Sequence, residues 1–306
     1  MNLHLHGKTA LVTGSSKGIG AGIARGLARE GAVVMVHGRN RDQATAVVRQ
    51  IQLDGGTAHV VTGDLTDETE VDALLNDVRT VGDVDILVNN AGGSGVGSDW
   101  STTEAGVWAS TYDANVLAAM RMSKAVLPQM RHAGWGRIIN ISSLAALMPP
   151  AGNPDYSAAK AAMLAMSASM AKAVAAEGVT VNTVSPGTIR SEKLERKFRE
   201  VAKQKALAPD APWEEVEAEV LPLLASVPIG RVGTLEEIAD AVVGQVTRDD
   251  QGINVFLEQP ILQAIELEWV AAQPEMGPEM QVGYYCDRSA IVRDFDNGGA
   301  GQNRLR

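Results

Sequence analysis

Two hydrophobic rhythms alternate along the chain. Short runs of β-branched and aliphatic residues fall at 9–12, 32–36, 59–61, 85–89, 137–142 and 180–184. Each has the length and composition of a buried strand. Between them, apolar residues recur every three or four positions, as on one face of a helix. Ile19, Ile23 and Leu27 mark such a face, ending near Gly31, and Ala44, Val47, Val48 and Ile51 mark another, stopped by Gly55 and Gly56. Val71, Leu74, Leu75 and Val78 mark a third. Residues 111–133, the stretch from Tyr156 to about Glu177, and residues 235–243 complete the series. Strands alternating with helices at this spacing predict α/β architecture: a doubly wound parallel sheet with right-handed crossovers, layered α/β/α. Ligands of such sheets sit at the carboxyl ends of the strands.

The rhythm breaks twice. Residues 190–230 are charged and helical in pattern, interrupted by Pro209, Pro212 and Pro222. A long insertion after a strand end reads as a helical lid. Within it, Trp213 either contacts substrate or anchors the lid. From Gly244 to Arg306 the sequence turns Glu-, Gln- and Pro-rich. Residues 289–299 read either as a displaced last strand or as unrelated tail.

Chemistry gathers at the strand ends. After the first strand comes Thr13-Gly14-Ser15-Ser16-Lys17-Gly18-Ile19-Gly20. Glycines there let the backbone turn tightly and approach a pyrophosphate, and the helix that follows offers unpaired N–H groups. The second strand ends at Gly38-Arg39 without a carboxylate. An acid at that place hydrogen-bonds a ribose 2′-hydroxyl, whereas a base accepts a 2′-phosphate. Arg39 and Lys17 therefore favour NADP(H) over NAD(H). The fifth run stops at Ser142-Ser143, and a proline-rich loop leads to Tyr156 and Lys160. That spacing puts phenol and ammonium on one helix face. A phenol titrates near about 10 in water, and a neighbouring cation lowers that value. With Ser143 to hold a carbonyl oxygen, the three describe proton exchange at an oxygen on carbon. Tyr-x-x-x-Lys alone is a weak pattern; its company is what makes it specific.

Composition narrows the class. The 306 residues are 45% hydrophobic and 21% charged, enough to bury a core. A net charge of −10 argues against nucleic acid or an anionic membrane as partner. The one cysteine, Cys286, rules out an internal disulfide framework. The first residues lack the apolar core of a signal peptide, so a cytoplasmic protein is expected. His4 and His6, without carboxylate or cysteine company, read as surface residues, and no metal site is expected.

Residues 7–243 resemble the short-chain dehydrogenase/reductases. The resemblance rests on Thr13–Gly20, Asp64, Asn89-Asn90-Ala91-Gly92, Asn115, Ser143, Tyr156-x-x-x-Lys160 and Pro186-Gly187, in this order and spacing. It implies a Rossmann-type single domain over 1–243, with a lid at about 190–230 and an atypical segment over 244–306. It also implies hydride transfer between a nicotinamide cofactor and a carbonyl or secondary alcohol. Tyr156 would be the general acid/base, and Lys160 would lower its pKa and hold the nicotinamide ribose. Ser143, thirteen residues before the tyrosine, would position the substrate oxygen, and Asn115 would anchor a water leading to Lys160. Gly14, Ser16, Lys17, Gly18, Ile19 and Gly20 would cradle the phosphates. Asp64 and Leu65 would touch adenine, Asn90, Ala91 and Gly92 would border the ribose, and Pro186, Gly187 and Thr188 the carboxamide. Where the family closes on a strand ending in Val-Asp-Gly-Gly, Gly244 to Arg306 reads differently. A 3-oxoacyl-carrier-protein reductase is the alternative substrate class, with Arg131, His132 and Arg137 the nearest cations for an acidic carrier. A non-catalytic nucleotide-binding scaffold is the alternative of another kind. The Ala-, Ser- and Met-rich helices bearing Asn115 and Tyr156 suggest a homodimer or homotetramer.

Overall fold

The computed structural model describes residues 5–94, 99–225 and 227–247, and the backbone of Asn254–Phe256. Each apolar run becomes a strand: β1 (Thr9–Val12), β2 (Val33–Gly38), β3 (Thr57–Thr62), β4 (Ile86–Asn89), β5 (Gly136–Ile141) and β6 (Val179–Ser185). A short strand not expected from the sequence, β7 (Asn254–Phe256), joins the edge beside β6. The sheet has seven strands in the order β3-β2-β1-β4-β5-β6-β7, all parallel. β4, β5 and β6 are buried along their whole length, which is why they read as unbroken apolar runs rather than alternating ones. β1 lies between β2 and β4, so the winding direction reverses there. That reversal opens a crevice beyond the carboxyl ends of the strands.

The helices are α1 (Gly18–Arg29), α2 (Arg41–Leu53), α3 (Glu68–Val81), α4 (Ala105–Tyr112), α5 (Ala118–Ala133), α6 (Pro154–Val174), α7 (Glu192–Gln204), α8 (Trp213–Leu224) and α9 (Leu235–Val246). Several start on capping side chains: Asn40, Asp67 and Ser191 each accept a first-turn N–H, and Thr234 with Glu237 forms a capping box. Strand residues alternate between two cores. Ala10, Val12, Val34, Val36, Ile86, Val88 and Ile139 pack with α1, α2 and α9. Their sequence neighbours Leu11, Met35, Leu87 and Ile138 pack with α3, α5 and α6. This two-sided burial is the α/β/α layering inferred from the sequence.

One expectation changes in detail, and the open reading of Trp213 is resolved. The helix expected from 111 begins at Ala105 and passes through a π-helical turn, Asp113–Leu117, before continuing as α5. Residues 190–230 form α7 and α8 with a small core of their own, including Phe198, Val216, Val220 and Leu221. Trp213 belongs to that core: it is 7% exposed, its ring lies 5.4 Å from Phe198, and the Arg190 guanidinium stacks on it at 4.4 Å. It is an anchor. The segment 289–299 lies outside the described residues. By compactness the chain divides into Met1–Ile261 and Leu262–Arg306, and every described residue belongs to the first unit.

α1 and α9 approach through glycines. A Cβ on Gly22 would lie 2.9 Å from Leu235 Cβ, and one on Gly26 would lie 2.7 Å from Ala239 Cβ. Replacing Gly26 with valine would force these helices apart. We expect Gly26→Val to lower unfolding free energy by about 1–3 kcal/mol, read from the urea midpoint at unchanged m-value.

Candidate active site

β1 delivers the chain to Gly14, where φ is +63° and a Cβ would come within 2.8 Å of the Ala91 backbone. A Cβ on Gly20 would meet the Gly14 carbonyl and the Asn90 amide, and one on Gly38 would lie 2.7 Å from Ser16 Oγ. The loop is thus pressed against its neighbours on one side. On the other, Gly18 at φ +57° faces open space, with nothing within 4 Å of a built Cβ. Lys17, the N-cap of α1, is exposed and makes no side-chain cap, so the first N–H groups of α1 have no side-chain acceptor at the cap. An anion fits there: open room, free donors and the positive end of a helix. Ile19 is half-buried against the core.

Asn90 lies on the crowded side. Its Nδ2 donates to the Thr13 carbonyl at 2.9 Å and the Gly14 carbonyl at 3.0 Å, and Thr13 Oγ1 accepts the Asn90 and Ala91 N–H groups, each at 3.0 Å. The Asn90 amide therefore clamps the glycine loop rather than pointing at a ribose. At the tip of β2, Arg39 pairs with Asp64 at 3.4 Å and Arg41 reaches Thr62 Oγ1 at 3.3 Å. The Arg39 side chain remains 78% exposed. Hydrogen bonds from Thr66, and then Arg39, hold the Asp64 carboxyl below the usual range. The Leu65 side chain is 5% exposed in the core, and its carbonyl accepts from Arg121 at 3.1 Å.

β5 carries the chemistry. The two serines after it divide the work. Ser142 Oγ donates to the Lys160 carbonyl at 2.9 Å and so fixes α6 to the strand end. The Ser143 hydroxyl accepts the Ala145 N–H at 3.2 Å and acts on the Tyr156 phenol. Lys160 is 3% exposed; its Nζ donates to the Ile141 carbonyl at 2.9 Å, lies 3.4 Å from Met163 Sδ, and sits 5.7 Å from the Tyr156 ring centroid. Burial lowers the Lys160 ammonium to about 8. Burial also raises the Tyr156 phenol, opposed by the Ser143 hydroxyl. The lowering expected from Lys160 is not among the causes: desolvation leads at both groups.

Asn115 is fully buried in the π-turn, the kind of helix irregularity that gathers at functional sites. Its Oδ1 accepts the Gly93 N–H at 3.0 Å, and its Nδ2 donates to Thr111 O at 2.8 Å and Gly93 O at 3.1 Å. These bonds tie the loop after β4 to the helix, and a Cβ on Gly92 (φ +132°) would collide with the Asn115 side chain. Two contacts were invisible in the sequence. Thr111 Oγ1 donates to the buried Asp155 Oδ2 at 2.6 Å, joining α4 to the residue before Tyr156. After β6, the Pro186 carbonyl accepts from Leu144 N at 3.0 Å and Thr188 O from Gly233 N at 2.9 Å. Pro186, Gly187 and Thr188 are thereby held beside the Ser143 loop. Among the described residues there is no cluster of three or more metal-ligating side chains, and no helix long and apolar enough to cross a membrane.

A doubly wound parallel sheet with a glycine cradle at its reversal and a Ser–Tyr–Lys set on the next loops defines a Rossmann-type oxidoreductase. The family model described as short chain dehydrogenase matches residues 8–202, and the chain belongs to that family. Among curated proteins it is 35% identical over 243 residues to the 3-oxoacyl-(acyl-carrier-protein) reductase of Escherichia coli, covering 78% of this chain and 90% of the relative. It is similar to two solved structures at 31% identity. One is the L-sorbose reductase of Gluconobacter frateurii complexed with NADPH and L-sorbose (TM-score 0.77; 84% of this chain, 97% of that one). The other is a 3-oxoacyl (acyl-carrier-protein) reductase from Agrobacterium tumefaciens with NADP bound (TM-score 0.73; 83% and 94%).

The buried ammonium generates a prediction. Its folded-state pKa of about 8 lies below the ordinary lysine value of about 10.4. The unfolded chain therefore binds the proton more tightly, and stability is lost as pH falls from about 10.4 through 8. Lys160→Met removes that penalty at the cost of one hydrogen bond to Ile141. We expect it to abolish turnover yet raise unfolding free energy at pH 7 by about 1–2 kcal/mol. In urea titrations the gain should shrink as pH rises towards about 10.

Proposed function

We propose that the chain is an NADP(H)-dependent carbonyl reductase, or alcohol dehydrogenase in the reverse direction, acting on a small or medium apolar substrate. The buried Lys160 ammonium, 5.7 Å from the Tyr156 ring centroid with Ser143 beside the phenol, carries the reading. Gly14, Ser16, Lys17, Gly18, Ile19 and Gly20 would hold the pyrophosphate. Arg39, exposed and near Lys17 in sequence pattern, would meet a 2′-phosphate, and Lys160 with Tyr156 would border the nicotinamide ribose. When bound, the nicotinamide supplies or accepts the hydride.

The protein's own part is the proton. In reduction, Ser143 orients the carbonyl oxygen and Tyr156 donates to it as hydride reaches the carbon. Burial keeps the phenol protonated, which suits a donor. The phenolate left behind is stabilised by the Lys160 ammonium in a site of low dielectric. Asn115 would hold the Gly93 loop at the mouth of the site, and residues 190–230 would close over the substrate. Pairing through α5 and α6 would give a homodimer or homotetramer.

The curated relatives favour a second reading, a carrier-bound 3-oxoacyl thioester as substrate. The surface argues against it. Arg131 is ion-paired with Glu177, and Arg137 is 3% exposed, donating to Val246 O at 2.9 Å and Gly136 O at 3.0 Å. Two of the three cations that could greet an acidic carrier are thereby committed elsewhere.

Tyr156→Phe should lower kcat by about 10³-fold while NADPH affinity, measured by fluorescence titration, stays within about threefold. An unchanged kcat would remove the phenol from the mechanism. A substrate panel followed by NADPH absorbance tests the class: simple ketones and free β-ketoacyl thioesters should turn over, and NADPH should outperform NADH. A kcat/KM for carrier-bound thioester more than about tenfold above that of the free thioester would favour the second reading instead.

A further inference from the structure

His37 ends β2 and is 3% exposed, and the chemistry above leaves it unused. Its Nδ1 lies 3.0 Å from the Gly14 N–H, and its Nε2 lies 3.0 Å from the Gly63 carbonyl. An N–H can only donate and a carbonyl can only accept. The ring therefore has one consistent form: neutral, bare at Nδ1 and protonated at Nε2. The His37 backbone adds two bonds to the same loop, accepting from Ser15 N at 2.8 Å and donating to Ser15 Oγ at 2.9 Å. One residue thus joins the ends of β1, β2 and β3. These ends carry Gly14–Gly20, Arg39 and the Asp64–Leu65 turn.

We infer that His37 is a positioning residue for the cofactor, a neutral-imidazole brace that sets the glycine loop for phosphate binding and releases it when protonated. Protonation places a donor on Nδ1 against the Gly14 N–H, and one of them must move. Every contact to His37 on the glycine loop and Gly63 is uncharged. The charged groups that act on it are Asp64, from the loop after β3, and Arg39, two residues on along its own strand end. Burial lowers its pKa most; the Gly63 bond and Asp64 raise it and Arg39 lowers it further, for a net fall below 6.5. The brace is accordingly intact at neutral pH and fails only on the acid side of that value. The inference rests on the Gly14–Gly20 loop being the cofactor cradle, while the tautomer itself does not.

Long-range ¹⁵N NMR of the cofactor-free protein reads the tautomer. At neutral pH, Nδ1 of His37 should resonate as an unprotonated nitrogen and Nε2 as a protonated one; the opposite tautomer, or an imidazolium, overturns the proposal. Fluorescence titration reads the consequence. Wild-type affinity for NADPH and NADH should be flat above about pH 6.5 and fall for both below it. His37→Phe should weaken both cofactors by about tenfold, with kcat at saturating cofactor within about twofold. His37→Asn keeps an acceptor near Gly14 but cannot titrate. It guards against a Phe variant that fails to fold, and should abolish the acid limb for both cofactors. An acid limb that survives in His37→Asn, or that appears with NADPH alone and so belongs to the 2′-phosphate and Arg39, overturns the brace. If wild type binds neither cofactor at any pH, the cradle assignment fails instead, and the NMR result alone decides the tautomer.

Discussion

A lysine ammonium placed in the dry interior of a protein is the costliest feature of this fold. Lys160 has a backbone carbonyl and a thioether as partners, and no carboxylate bonds it among the described residues. Its position is enforced rather than chosen by local energetics. Ser142 grips the Lys160 carbonyl, α6 packs on the π-turn and the start of α5 through Ala159 and Met163 against Val116 and Ala119, and Thr111 holds the buried Asp155 at the foot of the helix. Small side chains matter here because they let the helices come close together around Lys160. In the low dielectric of a buried site, a charge beside a forming phenolate would count for more than it does in solvent. The same burial raises the phenol. Under the proposed reading, the site would be poised to give a proton away and then to hold the resulting anion.

The reversal of winding at β1 decides where the parts meet. With β2 on one side of β1 and β4 on the other, the loops after β1, β2 and β3 share one half of the crevice and those after β4, β5 and β6 the other. The first half is braced by uncharged contacts: Thr13 and Asn90 beneath the loop, His37 beside it, Ser16 against Gly38. The second half bears the buried ammonium. Under the proposed reading, binding and proton transfer would be separated along one sheet edge: a change in the brace would be felt as affinity, and a change at Tyr156 as rate.

Most of this was legible in the sequence because strand and helix periods, glycine spacing and the Tyr–Lys interval are all local. The strands β1 to β6 and the Ser–Tyr–Lys grouping follow from them. What was not legible depended on distant partners. The linear pattern does not show that the Asn90 amide bonds Thr13 and Gly14 or that the Leu65 side chain packs in the core. His37 carries no signal in sequence, since nothing local says that its ring spans from Gly14 to Gly63. The π-turn at Asp113–Leu117 has no strong residue signature either. It arises where Asn115 must satisfy Gly93 and Thr111 together. β7 escaped because three residues are too short a run to establish a period.

The α7–α8 region bears on specificity. Phe198, Trp213, Val216 and Val220 form a core distinct from the two that hold the sheet, and Arg190 closes it by stacking on Trp213 while pairing with Glu195 at 3.2 Å. A region with its own core can vary without disturbing the central sheet. The similar structures include one named for a ketose and another for a carrier-bound acyl group, on the same framework. Such range is easiest to reach if the proton machinery is fixed and the cover is exchangeable. In this chain α7 and α8 are anchored by a tryptophan buried in their own core. Under the proposed reading, substrate choice would fall to what α7 and α8 leave exposed. Leu223 and Leu224 stand out there as apolar side chains open to solvent. Their chemistry suits an apolar substrate better than an acidic protein, which is the same preference that the committed cations at Arg131 and Arg137 express from another face of the molecule.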